Sequence, residues 1–328
     1  MSDVKSTDPV LTNVSMQLVP PNAPVAGVIT QNDLCMRGKS ASFVRHVCVD
    51  VSGTPLEGNF KAGQSFGIVP PGVDHNGKPH KVRLYSIASP SCGEDGEGKI
   101  LSTTCKRLID ERQPEPKEEG PIRPELFTGT CSNYVCDRLP GDEVMVTGPS
   151  GKRFVLPEEP EQHDYLFLAT GTGIAPYRGM IKDLLEGPNG PCSSEIHLVM
   201  GVPYRSDLLY DEFFAEMDTL HKNFFYHRVI SREVPAEGGR YGQGYVHHYL
   251  DNAIELHEDV LSRDRTLIYM CGLAGMQTGV FKMLAIRGLS DAYLKIKDEA
   301  ADIDPREWNE QIIRQKVRPT RRCMLEVY

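Results

Sequence analysis

The stretch DYLFLATGTGIAPYRGMIKDLL, residues 164–185, decides the reading of this chain. DYLFLA is a short apolar run, the pattern of a strand buried on both faces. TGTG then turns sharply, and IAPYRGMIKDLL has helical spacing with Pro176 in its first turn. A strand, a glycine turn and a helix form the opening unit of a parallel α/β sheet. The same grammar continues downstream. EIHLVMGV (195–202), FFYHRVI (224–230) and TLIYMCG (266–272) read as strands. They alternate with helical DLLYDEFFAEMDTL (207–220), HHYLDNAIELHEDVL (247–261) and AGMQTGVFKMLAIRGL (274–289). One more helix, DPREWNEQIIRQ (304–315), precedes a last strand that ends the chain as RRCMLEVY.

Upstream of PEEPEQHD (157–164) the grammar differs. FVRHVCVDV, QSFGIV, VRLYSIA and EVMVTG are short β-type runs separated by Gly, Pro and Asp, with no long helical period between them. An antiparallel barrel or sandwich follows. Residues 1–25 read as a loose polar arm, 26–157 as the β domain and 158–328 as a Rossmann-like α/β domain. The charged, proline-rich segment 110–128 reads as a surface excursion between strands.

Composition narrows the function. The chain has 328 residues and a net charge of −9, which argues against general nucleic-acid binding. Its nine cysteines form no C-x-x-C pair and no iron–sulfur or zinc ligand set. Reduced thiols in a cytoplasmic protein are the expectation. No apolar run is long enough for a membrane span, and the first ten residues carry no secretion signal. His247 and His248 read as a surface pair. Two basic groups stand out on this acidic chain: Lys78, Lys81 and Arg83, and a C-terminal set of Arg314, Lys316, Arg318, Arg321 and Arg322. Such patches suit an anionic partner or cofactor, or else are solvated surface.

Ligands of parallel sheets bind beyond the carboxyl ends of the strands. Thr172 and Gly173 follow the first strand, Val202 and Pro203 the second, Ser231 and Arg232 the third, and Gly272 and Leu273 the fourth. A glycine turn leading into a helix suits a phosphate. A serine and a guanidinium suit a phosphomonoester, with Arg240, Tyr241 and Tyr245 close behind in sequence. Cys271 either faces the ligand crevice or is a buried structural thiol. In the β domain, Arg83 and Tyr85 share one face of a strand, and Leu84 and Ser86 the other.

Taken in order, RLYSIASP, TTCKRL, GTCSNYVCDRLPGDEV, TGPSGK, ATGTGIAP, MGVP, SRE, YMCGLAGM and the terminal EVY closely resemble the plant-type ferredoxin–NADP⁺ reductase family over roughly residues 25–328. The resemblance implies an FAD-binding antiparallel β-barrel followed by an NADP(H)-binding α/β domain. On FAD it implies contacts from Arg83, Leu84, Tyr85 and Ser86, from Thr104, Cys105 and Lys106, and from Gly129, Thr130, Cys131 and Ser132. On NADP(H) it implies Thr172, Gly173, Val202, Pro203, Gly272 and Leu273, with Ser231, Arg232 and Arg240 at the 2′-phosphate and Tyr245, or else Tyr241, at the adenine. It further implies an active site of Ser86, Cys271, Glu326 and Tyr328, the last as a gate over the flavin. An acidic ferredoxin or flavodoxin is the implied partner, docking on Lys78, Lys81, Lys152, Arg153 and the basic tail. The family's aromatic after the TTCKRL-like strand is missing here, where the chain reads LIDERQ. The other readings are the reductase component of an oxygenase or biosynthetic system, and a nucleotide-binding sensor or scaffold.

Overall fold

The computed structural model describes residues 8–328 apart from 37, 39, 41, 113–124, 189 and 235–239. The first half of the chain supplies β1 (Val25–Leu34), β2 (Val44–Asp50), β3 (Ser65–Val69), β4 (Arg83–Ser86), β5 (Ile100–Lys106), β6 (Ile109–Arg112), β7 (Glu125–Thr128), α1 (Thr130–Cys136) and β8 (Glu143–Ser150). Six of these strands form one sheet in the order β4-β3-β8-β1-β2-β5, antiparallel throughout. Its two edges meet where Ile87 bridges Thr103 and the Thr103 hydroxyl donates to the Ser86 carbonyl at 2.8 Å. The sheet therefore closes as a barrel, which the strand pattern alone left open. Val47, Val49 and Val51, two residues apart along one strand face, point into it with Phe66, Ile68, Leu101 and Val146. Burying each such side chain contributes about 1.5–3 kcal/mol. Helix α1 adds Cys131, Val135 and Cys136 to this core.

The expected loose arm is not loose over its described part. Thr12 donates to the Leu156 carbonyl, Gln17 to Pro149, and Val19 pairs with Gly148 and is 2% exposed. Residues 8–24 are laid along the barrel by backbone pairing, which polar composition does not reveal; residues 1–7 lie outside the described residues. In the 110–128 excursion, β6 and β7 pair as a hairpin from Ile109↔Thr128 to Arg112↔Glu125. Its tip, 113–124, lies outside the described residues.

The second half supplies β9 (Asp164–Thr170), α2 (Ala175–Glu186), β10 (Ile196–Val202), α3 (Asp211–Leu220), β11 (Phe224–Ile230), β12 (Tyr241–Gln243), α4 (Val246–Asn252), β13 (Thr266–Gly272), α5 (Ala274–Ile286), α6 (Ser290–Tyr293), β14 (Leu294–Ile296), α7 (Asp298–Ala301), α8 (Glu310–Lys316), β15 (Val317–Pro319) and β16 (Cys323–Val327). The sheet order is β12-β11-β10-β9-β13-β16, all parallel. Both faces are covered, as the apolar strands require. Tyr165, Phe167 and Ala169 of β9 face α2 and α3, while Leu166 and Leu168 face α4 and α5. Two expected helices are shorter than their patterns. The one at 247–261 stops after Asn252, where Ala253 leaves helical geometry (ψ 90°). The one at 304–315 starts only at Glu310, because the Asn309 side chain caps it by accepting from Ile312 N at 2.9 Å, and Trp308 turns inward to 2% exposure. No helix among the described residues is long and apolar enough to cross a membrane.

One face of α2 joins the two lobes. The Arg178 guanidinium donates twice to Glu94 (2.5 and 3.1 Å) and once to the Ala88 carbonyl at 3.1 Å. Asp183 accepts from the Ser91 amide at 2.9 Å and from its hydroxyl at 2.5 Å. Between them, a Cβ on Gly179 would lie 2.1 Å from the Ser89 carbonyl, so only glycine permits this approach. Burial works against the Glu94 carboxylate, yet Arg178 and the Ser102 hydroxyl outweigh it and hold Glu94 below the usual carboxyl range. From α3, Tyr210 reaches into the same seam to bond Thr104 Oγ1 (2.7 Å) and His46 Nδ1 (2.9 Å). His46, Cys48 and Glu94 place three potential metal-ligand atoms within 4.8 Å, a grouping hidden in the sequence. Arg178 already claims the carboxylate, and its charge disfavours a cation there.

Removing one partner of a buried ion pair leaves an uncompensated charge. Arg178→Met is expected to lower stability by about 3 kcal/mol, and the Glu94→Gln/Arg178→Met double variant to recover more than half of that in denaturant titrations. Equal losses in the single and double variants would contradict this account.

Candidate active site and nucleotide crevice

The site grows from how the ends of β9 and β13 lock together. Gly171 adopts φ +54° with open space around it. Gly173 serves a different end from the close ligand approach expected of it: a Cβ there would sit 2.1 Å from the Cys271 carbonyl on the next strand. Gly272, at φ +136°, lies equally tight against Thr170 Oγ1, which accepts from the Leu273 amide at 2.9 Å. These contacts pin the two strand ends side by side, where the strand order reverses direction.

A cavity of about 480 Å³ opens beyond these ends. Thr172, Val202, Pro203, Ser231, Arg232, Tyr245, Leu273 and Tyr328 line it, so most of the expected nucleotide residues are brought together. Lys106 reaches it from the barrel. Arg240 does not reach it: Nη1 donates to both Asp218 carboxylate oxygens (2.8 and 2.7 Å) and the guanidinium lies over Phe225. Tyr241 packs beneath Arg228 outside the cavity, while Tyr245 is 61% exposed and faces it. Sequence reasoning missed His247, which lines the cavity with its ring parallel to Tyr245 (interplanar 9°) and against Gly279. Only His248 is fully at the surface. It also missed Met36, Ser42 and Val44, which the β1–β2 connection carries over from the barrel.

The residues expected on FAD divide into two sets. Arg83 and Leu84 are exposed, and Tyr85 is half-buried against the barrel core. Thr104 is turned away into the bond with Tyr210, and Cys105 is fully buried in the barrel. Cys131 is also buried, and Ser132 Oγ accepts from the Leu108 amide at 3.2 Å. Gly129 precedes α1, whose first-turn amides at Thr130, Cys131 and Ser132 have no helical acceptor. Arg83, Lys106 and Arg232 make no side-chain hydrogen bond or ion pair among the described residues. On a chain of net charge −9, two such cations in the cleft, Lys106 and Arg232, and the exposed Arg83 on the barrel fit a phosphate-rich dinucleotide.

The four expected active-site residues converge from three parts of the chain. Parallel pairing of β13 with β16 sets Cys271 beside Glu326. Ser86, from the barrel, donates its hydroxyl to Glu326 Oε2 at 3.3 Å across the seam between the lobes. Burial pushes the Glu326 carboxyl up to about 7, with the Ser86 bond pulling slightly the other way. The Cys271 thiol, 2% exposed, is pushed far upward by burial and stays protonated. Tyr328 continues β16: its amide donates to Gly272 O at 2.9 Å and its carbonyl accepts from Ala274 N at 3.2 Å. Its ring is 64% exposed, and its hydroxyl meets Thr172 Oγ1 at 2.7 Å.

A carboxyl raised on folding binds its proton more tightly in the native state. The stability this gives is full below pH ~4.5 and is lost as pH rises through about 7. Relative to Glu326→Gln, the wild type is expected to lose up to about 3 kcal/mol over that window. Denaturant titrations at pH 4.5 and 8 measure it, and parallel pH profiles for the two proteins would refute the raised carboxyl.

A family model described as an oxidoreductase NAD-binding domain matches residues 167–282. The ferredoxin–NADP reductase of Thermosynechococcus vestitus is 37% identical over 273 residues, 82% of this chain and 67% of its own length. The chloroplastic leaf isozyme 1 of Arabidopsis thaliana is 36% identical, covering 77% and 68%. The enzyme of a Spirulina species is 35% identical, covering 82% and 88%. Among solved structures, the ferredoxin–NADP⁺ reductase of Plasmodium falciparum with 2′P-AMP superposes with a TM-score of 0.66 over 95% of this chain and 99% of that one, at 20% identity, a likeness of fold. By its barrel, its parallel sheet and these relatives, the chain belongs to the ferredoxin–NADP reductase family.

Proposed function

We propose that this chain is an FAD-dependent ferredoxin–NADP⁺ reductase, exchanging a hydride with NADP(H) and single electrons with ferredoxin or flavodoxin. The observation that carries the reading is the Ser86–Glu326 bond across the seam, with Glu326 close in sequence to a terminal tyrosine that lines the nucleotide-sized crevice. FAD, when bound, converts two-electron nicotinamide chemistry into one-electron steps.

The chain's own residues would bind, orient and move protons around that group. Arg83 is placed to pair with the pyrophosphate, and the first-turn amides of α1 offer further donors. Tyr85 and Tyr328 supply aromatic faces for the flavin ring. Tyr328 would cover the flavin face that a nicotinamide approaches, its hydroxyl held by Thr172 Oγ1 at 2.7 Å and by the Gly173 backbone, neutral bonds worth about 1 kcal/mol each. The ring can therefore swing away while backbone pairing retains the strand. Glu326, poised near neutrality, holds or yields a proton through Ser86 Oγ as charge develops next to it. Cys271, buried and protonated beside Glu326, would keep its surroundings neutral and apolar. Ser231 and Arg232 suit the 2′-phosphate, and Tyr245 the adenine.

The carrier reading rests on the relatives' names and on exposed cations. Lys78, Lys81, Lys152 and Arg153 are exposed, as are Arg314, Arg318 and Arg321 of the tail. Arg322 is withdrawn from that face: it is 7% exposed and bonds the carbonyls of Thr266 and Arg263. Lys316 pairs with Glu299 at 3.6 Å. The docking face is accordingly the barrel cations with the exposed arginines.

Purified protein supplied with NADPH is expected to reduce ferricyanide, and to reduce cytochrome c only when ferredoxin is added; failure of both with flavin bound would sink the assignment. Arg232→Ala should cut the preference for NADPH over NADH by roughly 10- to 100-fold, the worth of a charged hydrogen bond, read as the ratio of kcat/KM values. Tyr328→Ser should tighten NADP⁺ binding by removing the competing ring. Weaker binding in difference spectra would show that the tyrosine is not a gate.

A further inference from the structure

Three cysteines gather beneath Tyr85. Cys105 on β5 and Cys131 at the start of α1 are buried in the barrel core against which Tyr85 packs. Cys136, at the end of α1, places its sulfur 3.9 Å from that of Cys105 and 3.8 Å from the Cys105 carbonyl. The reductase reading uses neither Cys136 nor the sulfur of Cys105. All nine cysteines of the chain are free thiols, and the pairing at 105 and 136 is the one close sulfur–sulfur contact among the described hydrogen bonds.

The two sulfurs are electrostatically unlike. Cys136 has its thiol shifted below the ordinary range, first by its hydrogen bond with Cys105 and further by the charges of Arg107 and Arg45, against the upward effect of its burial. Every other cysteine with a resolved shift is pushed upward, seven in all, Cys105 well upward. Arg107 is fixed in place by Asn133 Oδ1 at 2.9 Å and by Asp137, the neighbour of Cys136. The two sulfurs, 3.9 Å apart and both buried (Cys136 3% and Cys105 0% exposed), set a thiol shifted downward beside one shifted upward, the polarity of an attacking and a resolving cysteine.

We propose that Cys105 and Cys136 form a redox-modification site, a dithiol that a peroxide oxidises reversibly to an intramolecular disulfide. The Cys136 thiolate attacks one peroxide oxygen, the O–O bond breaks, and Cys136 becomes a sulfenic acid as hydroxide leaves. The Cys105 thiol then attacks that sulfur, an S–S bond forms and the S–O bond breaks with loss of water. In sum two thiols and one hydrogen peroxide give a disulfide and two waters. Closing the sulfurs from 3.9 Å to about 2 Å needs a small shift of the α1 terminus. The link would tie α1 to β5.

The wild-type holoprotein treated with hydrogen peroxide at neutral pH tests this without any variant. Under denaturing conditions it should show two fewer titratable thiols, and mass mapping should give one linked peptide joining residues 105 and 136, lost again on adding dithiothreitol. Dimedone should label Cys136 in Cys105→Ala protein, and Cys131→Ser should leave the link intact. If exposed Cys92 is oxidised while no 105–136 peptide forms, or if the link joins Cys105 to Cys131 instead, the proposal is overturned. These readouts are independent of turnover, so they stand or fall apart from the reductase assignment.

Discussion

The largely enclosed pair of Arg178 and Glu94 holds the molecule in the form its site requires. Ser86 belongs to the barrel and Glu326 to the α/β lobe, and their 3.3 Å contact exists only if the lobes keep one relative position. A charge pair this enclosed adds little stability for its own sake, since desolvation offsets the attraction. Its value is directional: four hydrogen bonds on Arg178 and Glu94 must be matched at once. Gly179 and Asp183, on the same helix face, extend the constraint to Ser89 and Ser91. Tyr210 extends it to the far wall through His46 and Thr104. Tyr210 itself sits in left-handed backbone geometry (φ 55°), a strained state that these two hydroxyl contacts help to maintain.

The same rigidity sets the chemistry of the seam. Glu326 lies on the edge strand of the sheet, where water would normally hold a carboxylate near its ordinary value. The barrel covers that edge, so the carboxyl is partly dried and its affinity for a proton rises. Gly173 and Gly272 fix the strand ends to within a single carbon's width, which determines where Cys271 and Tyr328 emerge. Tight glycine packing behind the site and a weakly held tyrosine in front of it divide the labour. The frame is closely packed, and the terminal ring in front of it is exposed.

Much of the fold was legible because local signals agreed with one another. Alternating strands and helices after residue 164 specify a parallel sheet, and the turn residues mark its ligand-facing ends. The crevice-lining residues at those ends were legible for the same reason: sequence position after a strand is spatial position at the crevice. Where a residue's role depended on its partner, the pattern misled. Arg240 looked like a phosphate ligand until Asp218, distant in sequence, took its charge. Thr104 and Arg322 were likewise claimed by neighbours from other elements.

The sequence by itself determined the element types, the order of the two lobes and the residues at the carboxyl ends of the strands, because hydrophobic period, glycine and proline act locally. Tertiary structure alone decided that the β sheet closes at Ile87 and Thr103, that Ser86 meets Glu326, and that Cys136 faces Cys105. Those are contacts between residues far apart in the chain. Their energies depend on burial and on which partner arrives first at hydrogen-bonding distance, and neither quantity is written in any short stretch of residues.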